Sequence, residues 1–204
     1  MSFISQPYCE RLGTPFAVDY GGPLLSPAAI ADPPVFTKAR AVALYDGAAR
    51  KLVHRLKFGD RLELAKGMGR MMAAAGAELL GESDVIVPVP LHWTRAWTRR
   101  FNQATELGRV VAEASALKVD ITLLKRVRRT PTQVGLTRPQ RRDNLQGAFK
   151  VPEESRGAVE GRRILLVDDV LTTGATANAA ARVLLRTGAA AVNVLTFARV
   201  AEGA

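Results

Sequence analysis

Apolar residues are distributed along the chain in two alternating rhythms. Short aliphatic-rich runs at residues 41–45, 85–89, 119–124, 163–167 and 191–197 read as strands. Between them, apolar residues recur every three or four positions, as on one face of a helix. Asp46 is suited to cap the first such helix, whose inward stripe is Ala49, Leu52, Val53 and Leu56. A second helix is predicted over 62–80, with Ala65, Met68, Met72 and Ala73 facing inward. Residues 102–116 form a third, through Ala104, Leu107, Val110 and Val111. Residues 174–186 form a fourth, through Ala177, Ala180, Ala181, Leu184 and Leu185, and Gly188 stops it. Strands alternating with helices predict an α/β fold, a mostly parallel central sheet flanked by helices.

Two stretches break the rhythm. Residues 1–37 carry Pro7, Pro15, Pro23, Pro27, Pro33 and Pro34 and read as an irregular arm without a core of its own. The expected organisation is therefore an arm over residues 1–40 and one domain over 41–204. Residues 130–148 are polar and basic, and read as a long loop or hairpin. No apolar run reaches the ~18 residues that a membrane helix needs, so no membrane partner is expected. Residues 1–13 lack a basic segment followed by an apolar one, so no secretory signal is expected. Cys9 is the single cysteine, which excludes an intrachain disulfide and makes a cytoplasmic location the expectation.

Charge changes the picture further. Lys plus Arg number 29 against 19 Asp plus Glu, a formal net charge of +10. Such a balance favours anionic partners, although a solubilising surface explains it equally well. The excess is concentrated in residues 125–144, where Lys125, Arg126, Arg128, Arg129, Arg138, Arg141 and Arg142 precede the first acid, Asp143. A loop of that density can cover a bound polyphosphate. It can equally lie along a nucleic-acid backbone, where each cation replaces a counter-ion. Both uses stay open.

The most specific chemistry lies in residues 164–176. Ile164, Leu165, Leu166 and Val167 deliver the chain to the carboxyl edge of the sheet, where open α/β folds bind ligands. Asp168 and Asp169 follow, then Val170, Leu171, Thr172, Thr173, Gly174, Ala175 and Thr176 at the start of a helix. A helix N-terminus offers unpaired N–H groups and partial positive charge, which suit a phosphate. Gly174 allows a tight turn and close backbone approach. The hydroxyls of Thr172, Thr173 and Thr176 add donors. Two carboxylates repel a phosphate but accept hydrogen bonds from vicinal ribose hydroxyls, and as hard oxygen ligands they suit Mg²⁺. One short segment can thus hold both ends of a ribose 5-phosphate.

The run from Val167 to Thr176 resembles the phosphoribosyl pyrophosphate (PRPP) motif of the type I phosphoribosyltransferases. That resemblance implies that Asp168 and Asp169 contact the ribose hydroxyls, and that Thr172, Thr173, Gly174, Ala175 and Thr176 hold the 5′-phosphate. Val87-Pro88-Val89-Pro90-Leu91, followed by Arg99-Arg100-Phe101-Asn102-Gln103-Ala104, is similar to the ComF/GntX family of phosphoribosyltransferase-like proteins. Residues 45–60, 128–133 and 136–149 agree with that family, and the resemblance spans about residues 41–198. It implies a type I phosphoribosyltransferase fold with a small N-terminal hood or arm. It also implies a pyrophosphate loop at residues 89–94, holding Val89, Pro90 and Leu91, and a closing loop near residues 125–144. Arg95, Arg99 and Arg100 lie just beyond the first loop, and Arg99 is taken as a candidate catalytic side chain because its planar fork suits phosphate.

The implied function is Mg²⁺-dependent transfer of a phosphoribosyl group from PRPP to an unidentified acceptor, with Asp168 and Asp169 as catalytic and metal residues. The alternative is a non-catalytic protein of DNA uptake or recombination, partnered by single-stranded DNA or DNA-processing proteins through its basic face. The family often begins with a four-cysteine zinc module. Here Leu12 stands where a second cysteine would follow Cys9, and His54 and His92 cannot complete a tetrahedral site, so no zinc is expected.

Overall fold

The computed structural model describes residues 1–19, 21–58, 61–91, 101–128 and 145–201. In chain order its elements are α1 (Pro27–Ala31), β1 (Ala39–Leu44), α2 (Gly47–Phe58), α3 (Glu63–Ala75), α4 (Ala77–Gly81) and β2 (Val85–Pro88). There follow α5 (Gln103–Glu113), β3 (Lys118–Val119), β4 (Lys125–Arg126) and β5 (Phe149–Lys150). After a 3-10 turn at Glu153–Ser155 come α6 (Arg156–Val159), β6 (Arg163–Leu171), α7 (Ala175–Arg186) and β7 (Ala191–Arg199).

Five strands form one sheet in the order β1-β7-β6-β2-β3, and every pairing is parallel. This is the mostly parallel sheet flanked by helices that the sequence predicts. β4 and β5 make a separate antiparallel pair. The central strand β6 alternates its side chains between two apolar layers. Ile164 and Leu166 pack with Val85, Val87, Val192 and Val194 beneath α7, through Ala177, Ala180, Ala181 and Leu184. Leu165 and Val167 face Met68, Met72, Leu107 and Val111 of α3 and α5. A sheet covered on both faces requires such continuous apolar strands. Leu165, Leu166 and Val167 are fully buried, and each contributes roughly 1.5–3 kcal/mol.

Three elements differ from the sequence reading. The helix expected over 62–80 is two, because the chain breaks at Gly76 (φ −102°, ψ 15°). A β-carbon on Gly76 would stand 2.7 Å from a methyl of Leu195, so a larger residue here would have to push that side chain aside. The strand expected over 119–124 stops at Val119, where the Asp120 carboxylate accepts hydrogen bonds from Thr122 N (2.7 Å) and Thr122 Oγ1 (2.6 Å). That side-chain turn replaces the ladder and sends Leu123 and Leu124 into the core below α7. The strand expected to end at Val167 continues to Leu171, because β7 stays paired with it at Val170↔Ala198 and Leu171↔Arg199.

The N-terminal arm lies against the sheet. Ile4 N donates to Val42 O and Leu44 N to Ser2 O, each at 2.9 Å, so residues 2–4 cover the edge of β1. Phe36 is buried in the layer under α7. An ionic cluster fixes the arm further. Lys38 Nζ lies 2.6 Å from Glu78 Oε1, 2.8 Å from Glu82 Oε1 and 3.4 Å from Glu10 Oε1. The buried Arg40 pairs with Glu78 at 3.0 Å and sits 4.5 Å above the ring of Tyr8. The Cys9 thiol is buried and accepts backbone N–H groups of Ser26 (3.2 Å) and Leu12 (3.4 Å). Among the described residues no cluster of three or more His, Cys, Asp or Glu side chains is placed to hold a metal, and no helix is long and apolar enough to cross a membrane.

Candidate functional site

The chain steps outward in opposite directions from the middle of the sheet. β2 leads to β3 on one side, and β6 leads to β7 on the other. Where neighbouring parallel strands send their connections apart, a crevice opens beyond their carboxyl ends. The segments leaving β2 and β6 border it here, and they are the two that the sequence marks. Val89 N donates to Val167 O at 2.9 Å, so the Val89-Pro90-Leu91 segment departs directly beside Asp168. Asn102 Nδ2 donates to Val89 O at 3.1 Å, while Asn102 Oδ1 accepts from Ala104 N and caps α5. One side chain therefore starts a helix and pins the root of the loop. Arg95, Arg99 and Arg100 lie outside the described residues, as do residues 129–144 of the basic stretch.

Asp168 and Asp169 sit inside the β6 ladder rather than after it, with Asp168 opposite Thr196 of β7. Ladder bonds fix both backbones, so the carboxylates are held before any ligand arrives. Asp169 is buried and Asp168 half-buried. Asp168 Oδ1 accepts from the N–H of Asp169 at 2.8 Å. Lys57 Nζ lies 2.9 Å from Asp169 Oδ2. Burial, and then the charge of Asp169, push the Asp168 carboxyl up to about 7, against the attraction of Lys57, the Asp169 N–H and Arg126. Among the described residues, then, one cation, Lys57, is in contact with two acids, a local deficit of positive charge. A divalent cation or two hydroxyl donors would relieve the deficit, so this oxygen pair fits Mg²⁺ with ligand oxygens and waters completing the shell.

The turn after β6 has the features of an anion cradle. Gly174 adopts φ 76°, ψ 0°, the left-handed conformation, immediately before the twelve-residue α7. The N–H groups of Thr173 and Gly174 donate to no acceptor among the described residues. Thr172 is exposed, and Thr173, Gly174, Ala175 and Thr176 are half-buried. Thr173 Oγ1 accepts from Ala175 N at 3.4 Å. The arm supports the turn: Asn178 Oδ1 accepts from Val35 N at 2.7 Å, and Phe36 packs close to Gly174. Val89 thus lies beside the end of the apolar run at Val167, and Asp168, Asp169 and residues 172–176 follow along the end of β6 and the turn after it.

Two contributors escaped the sequence reading as site residues. Lys57 lies in a stretch that resembles the family, but only the packing of Ala49, Val53 and Leu56 brings the last turn of α2 over Asp169. Asn102 stands at the start of the expected helix, and neither its cap nor its bond to Val89 was read from the sequence.

The sequence comparisons agree with this geometry. Residues 106–204 match the phosphoribosyl transferase domain family. The DNA utilization protein YhgH of Escherichia coli (strain K12) is 37% identical over 172 residues, covering 82% of this chain and 74% of that protein. Competence protein F of Haemophilus influenzae is 30% identical over 202 residues, covering 96% of this chain and 86% of its own length. The chain belongs to the ComF/GntX family of phosphoribosyltransferase-like proteins. Among solved structures, the glutamine PRPP amidotransferase of B. subtilis, complexed with ADP and GMP, shows a loose likeness to this ComF/GntX chain. Its TM-score is 0.43 and its identity 24%, over 64% of this chain and 25% of that one.

Proposed function

We propose that this ComF/GntX protein binds PRPP, with Mg²⁺, in the crevice between β2 and β6 and transfers its phosphoribosyl group to an acceptor not yet identified. The observation that carries the reading is the pairing of opposite chemistries within one turn of chain. Asp168 and Asp169 offer acceptors to ribose hydroxyls, and Thr173 and Gly174 offer unspent N–H donors to a phosphate. Mg²⁺, held by Asp168 and Asp169, would supply positive charge to the departing pyrophosphate. The acceptor forms a bond to ribose C1 as the bond from C1 to the pyrophosphate oxygen breaks, and the electron pair leaves with pyrophosphate. Asp168 and Asp169 orient the ribose, the 172–176 turn anchors its 5′-phosphate, and the Val89–Leu91 segment borders the leaving group. Arg99 is assigned to the same leaving charge on chemical grounds.

Calorimetry with PRPP and Mg²⁺ tests the binding step. Wild type is expected to bind, and the Asp168→Asn/Asp169→Asn double variant to lose at least about 100-fold in affinity. Equal binding by both proteins would remove the reading. Turnover is tested by pyrophosphate release from PRPP in the presence of a panel of bases, with the double variant as background.

A second reading is favoured by the names of the relatives, a DNA utilization protein and a competence protein. Here the site senses or merely retains a sugar phosphate, and the +10 charge serves single-stranded DNA. PRPP binding without pyrophosphate release, joined to DNA binding that weakens steeply with salt, would select it. A salt slope near zero would discard it.

A further inference from the structure

Resting on the sugar-phosphate reading, we propose that Lys57 is a displaceable counter-ion of the site: it holds the Oδ2 oxygen of Asp169 in the free protein and yields that oxygen to the cation or ribose hydroxyl of the arriving ligand. The two acids are treated unequally. Asp169 has an ammonium 2.9 Å from its carboxylate, whereas among the described residues the donor to Asp168 is the backbone N–H of its neighbour, at 2.8 Å. The Lys57 side chain is 26% exposed, against 9% for that of Asp169. Lysine therefore reaches the buried acid from the solvent side, the direction from which a ligand also comes.

Its four-carbon stem lets the ammonium move while the helix stays in place. That helix is anchored, because Ala49, Val53 and Leu56 of α2 are all fully buried. The exchange therefore needs only rotations within one side chain. Lys57 is a positioning residue in this scheme. It keeps the acid pair from standing as two uncompensated charges, and it sets a threshold that a weakly binding cation alone does not pass. If the lysine leaves Asp169 free for about a tenth of the time, apparent cation affinity is about tenfold below intrinsic.

The experiment is a Mn²⁺ titration followed by the loss of the free-ion electron paramagnetic resonance signal. It is run at saturating ribose 5-phosphate and at pH 8.5. Lys57→Met is expected to bind Mn²⁺ about tenfold more tightly than wild type, and Lys57→Arg to stay near wild type. Unchanged or weakened binding in Lys57→Met overturns the inference and leaves the proposed function standing. Failure of both proteins to take up Mn²⁺ overturns the inference together with the cation part of the proposed function. A measurement on the unmutated chain guards against a variant that does not fold. Acylation of Lys57 by an amine-directed reagent, followed by mass spectrometry, is expected to accelerate several-fold when Mn²⁺ and ribose 5-phosphate are added. An unchanged rate overturns the inference. A bare structural brace would predict a lower melting temperature in Lys57→Met with no gain in Mn²⁺ affinity.

Discussion

Strand β6 has carboxylates at both ends, held in opposite ways. At its start, Arg163 donates to Asp84 through its backbone N (2.8 Å), Nε (3.3 Å) and Nη2 (2.7 Å), and this guanidinium pulls the Asp84 carboxyl down to about 2. At its far end, Asp168 and Asp169 share one strand with a single lysine in contact, and burial drives Asp168 up to about 7. The first arrangement is closed, since the carboxylate is met by a fork of donors and the guanidinium by its acceptors. The second is open: among the described residues its acids have one cation in contact, a deficit of positive charge, and the next turn carries unspent N–H groups. A fold tolerates such a deficit where a ligand is to correct it. The amino end of the strand ties β6 to the residue before β2, and the carboxyl end is where the proposed ligand would sit.

That contrast can be broken or sharpened in order of effect. The largest consequence should be in stability against pH. A raised carboxyl binds its proton more tightly in the folded than in the unfolded chain. Asp168 is therefore expected to favour the folded state most fully below about 4 and to lose that contribution as pH rises to about 7. Asp168→Asn should remove this decline and leave a protein that is more stable than wild type at pH 8. Urea unfolding across pH 4–8 checks it, and a variant less stable at pH 8 would contradict the open-end picture.

Next comes Asn102→Ala, which loses both the α5 cap and the tie to Val89. It should cost about 1–2 kcal/mol in chemical unfolding. Affinity for pyrophosphate should fall with it, while affinity for ribose 5-phosphate changes less. A smaller stability loss, about 1 kcal/mol, is expected for Gly174→Ala, because φ 76° is strained for any residue with a β-carbon. Space is not the obstacle, as that carbon would meet Asn178 Nδ2 and Phe36 Cε1 at 3.7 Å. Ribose 5-phosphate binding should suffer more than stability, since the turn's N–H groups would be re-aimed.

The smallest effect belongs to the closed end. Asp84→Asn should cost no more than about 1 kcal/mol at neutral pH, because its partner Arg163 is half exposed. Here the sign is reversed: a lowered carboxyl stabilises above about 4, and the contribution disappears as pH falls toward 2. Ligand binding should not change. If Asp84→Asn disturbed PRPP binding as strongly as the Asp168/Asp169 changes, the division of the strand would fail.

The candidate site could be read from the sequence because its chemistry is contiguous. Asp168 to Thr176 lie in nine consecutive residues, and the roles expected of them follow from residue type and from the strand-to-helix handover. The apolar periods likewise marked the strands and helices of the main sheet. What escaped was longer-range. The continuation of β6 to Leu171 depends on β7 offering Ala198 and Arg199 as partners, and no local pattern in Asp168–Leu171 announces them. Gly76, at the break, would bring a β-carbon against a methyl of Leu195, more than a hundred residues away. The early end of β3 was in principle readable, since Asp120 followed by Thr122 is a turn signal that the aliphatic run obscured.

By itself, then, the order of residues determined which segments carry donors and acceptors, because hydrogen-bonding capacity and helical or strand period are local properties of the chain. Only the tertiary structure decided how those groups are charged and shared. It set Lys57 on Asp169 from a helix more than a hundred residues earlier, tied Val89 to Asn102, and packed the N-terminal arm against Gly174 and Asn178. The physical reason is that burial and Coulomb attraction depend on distance through space, and sequence separation does not encode that distance.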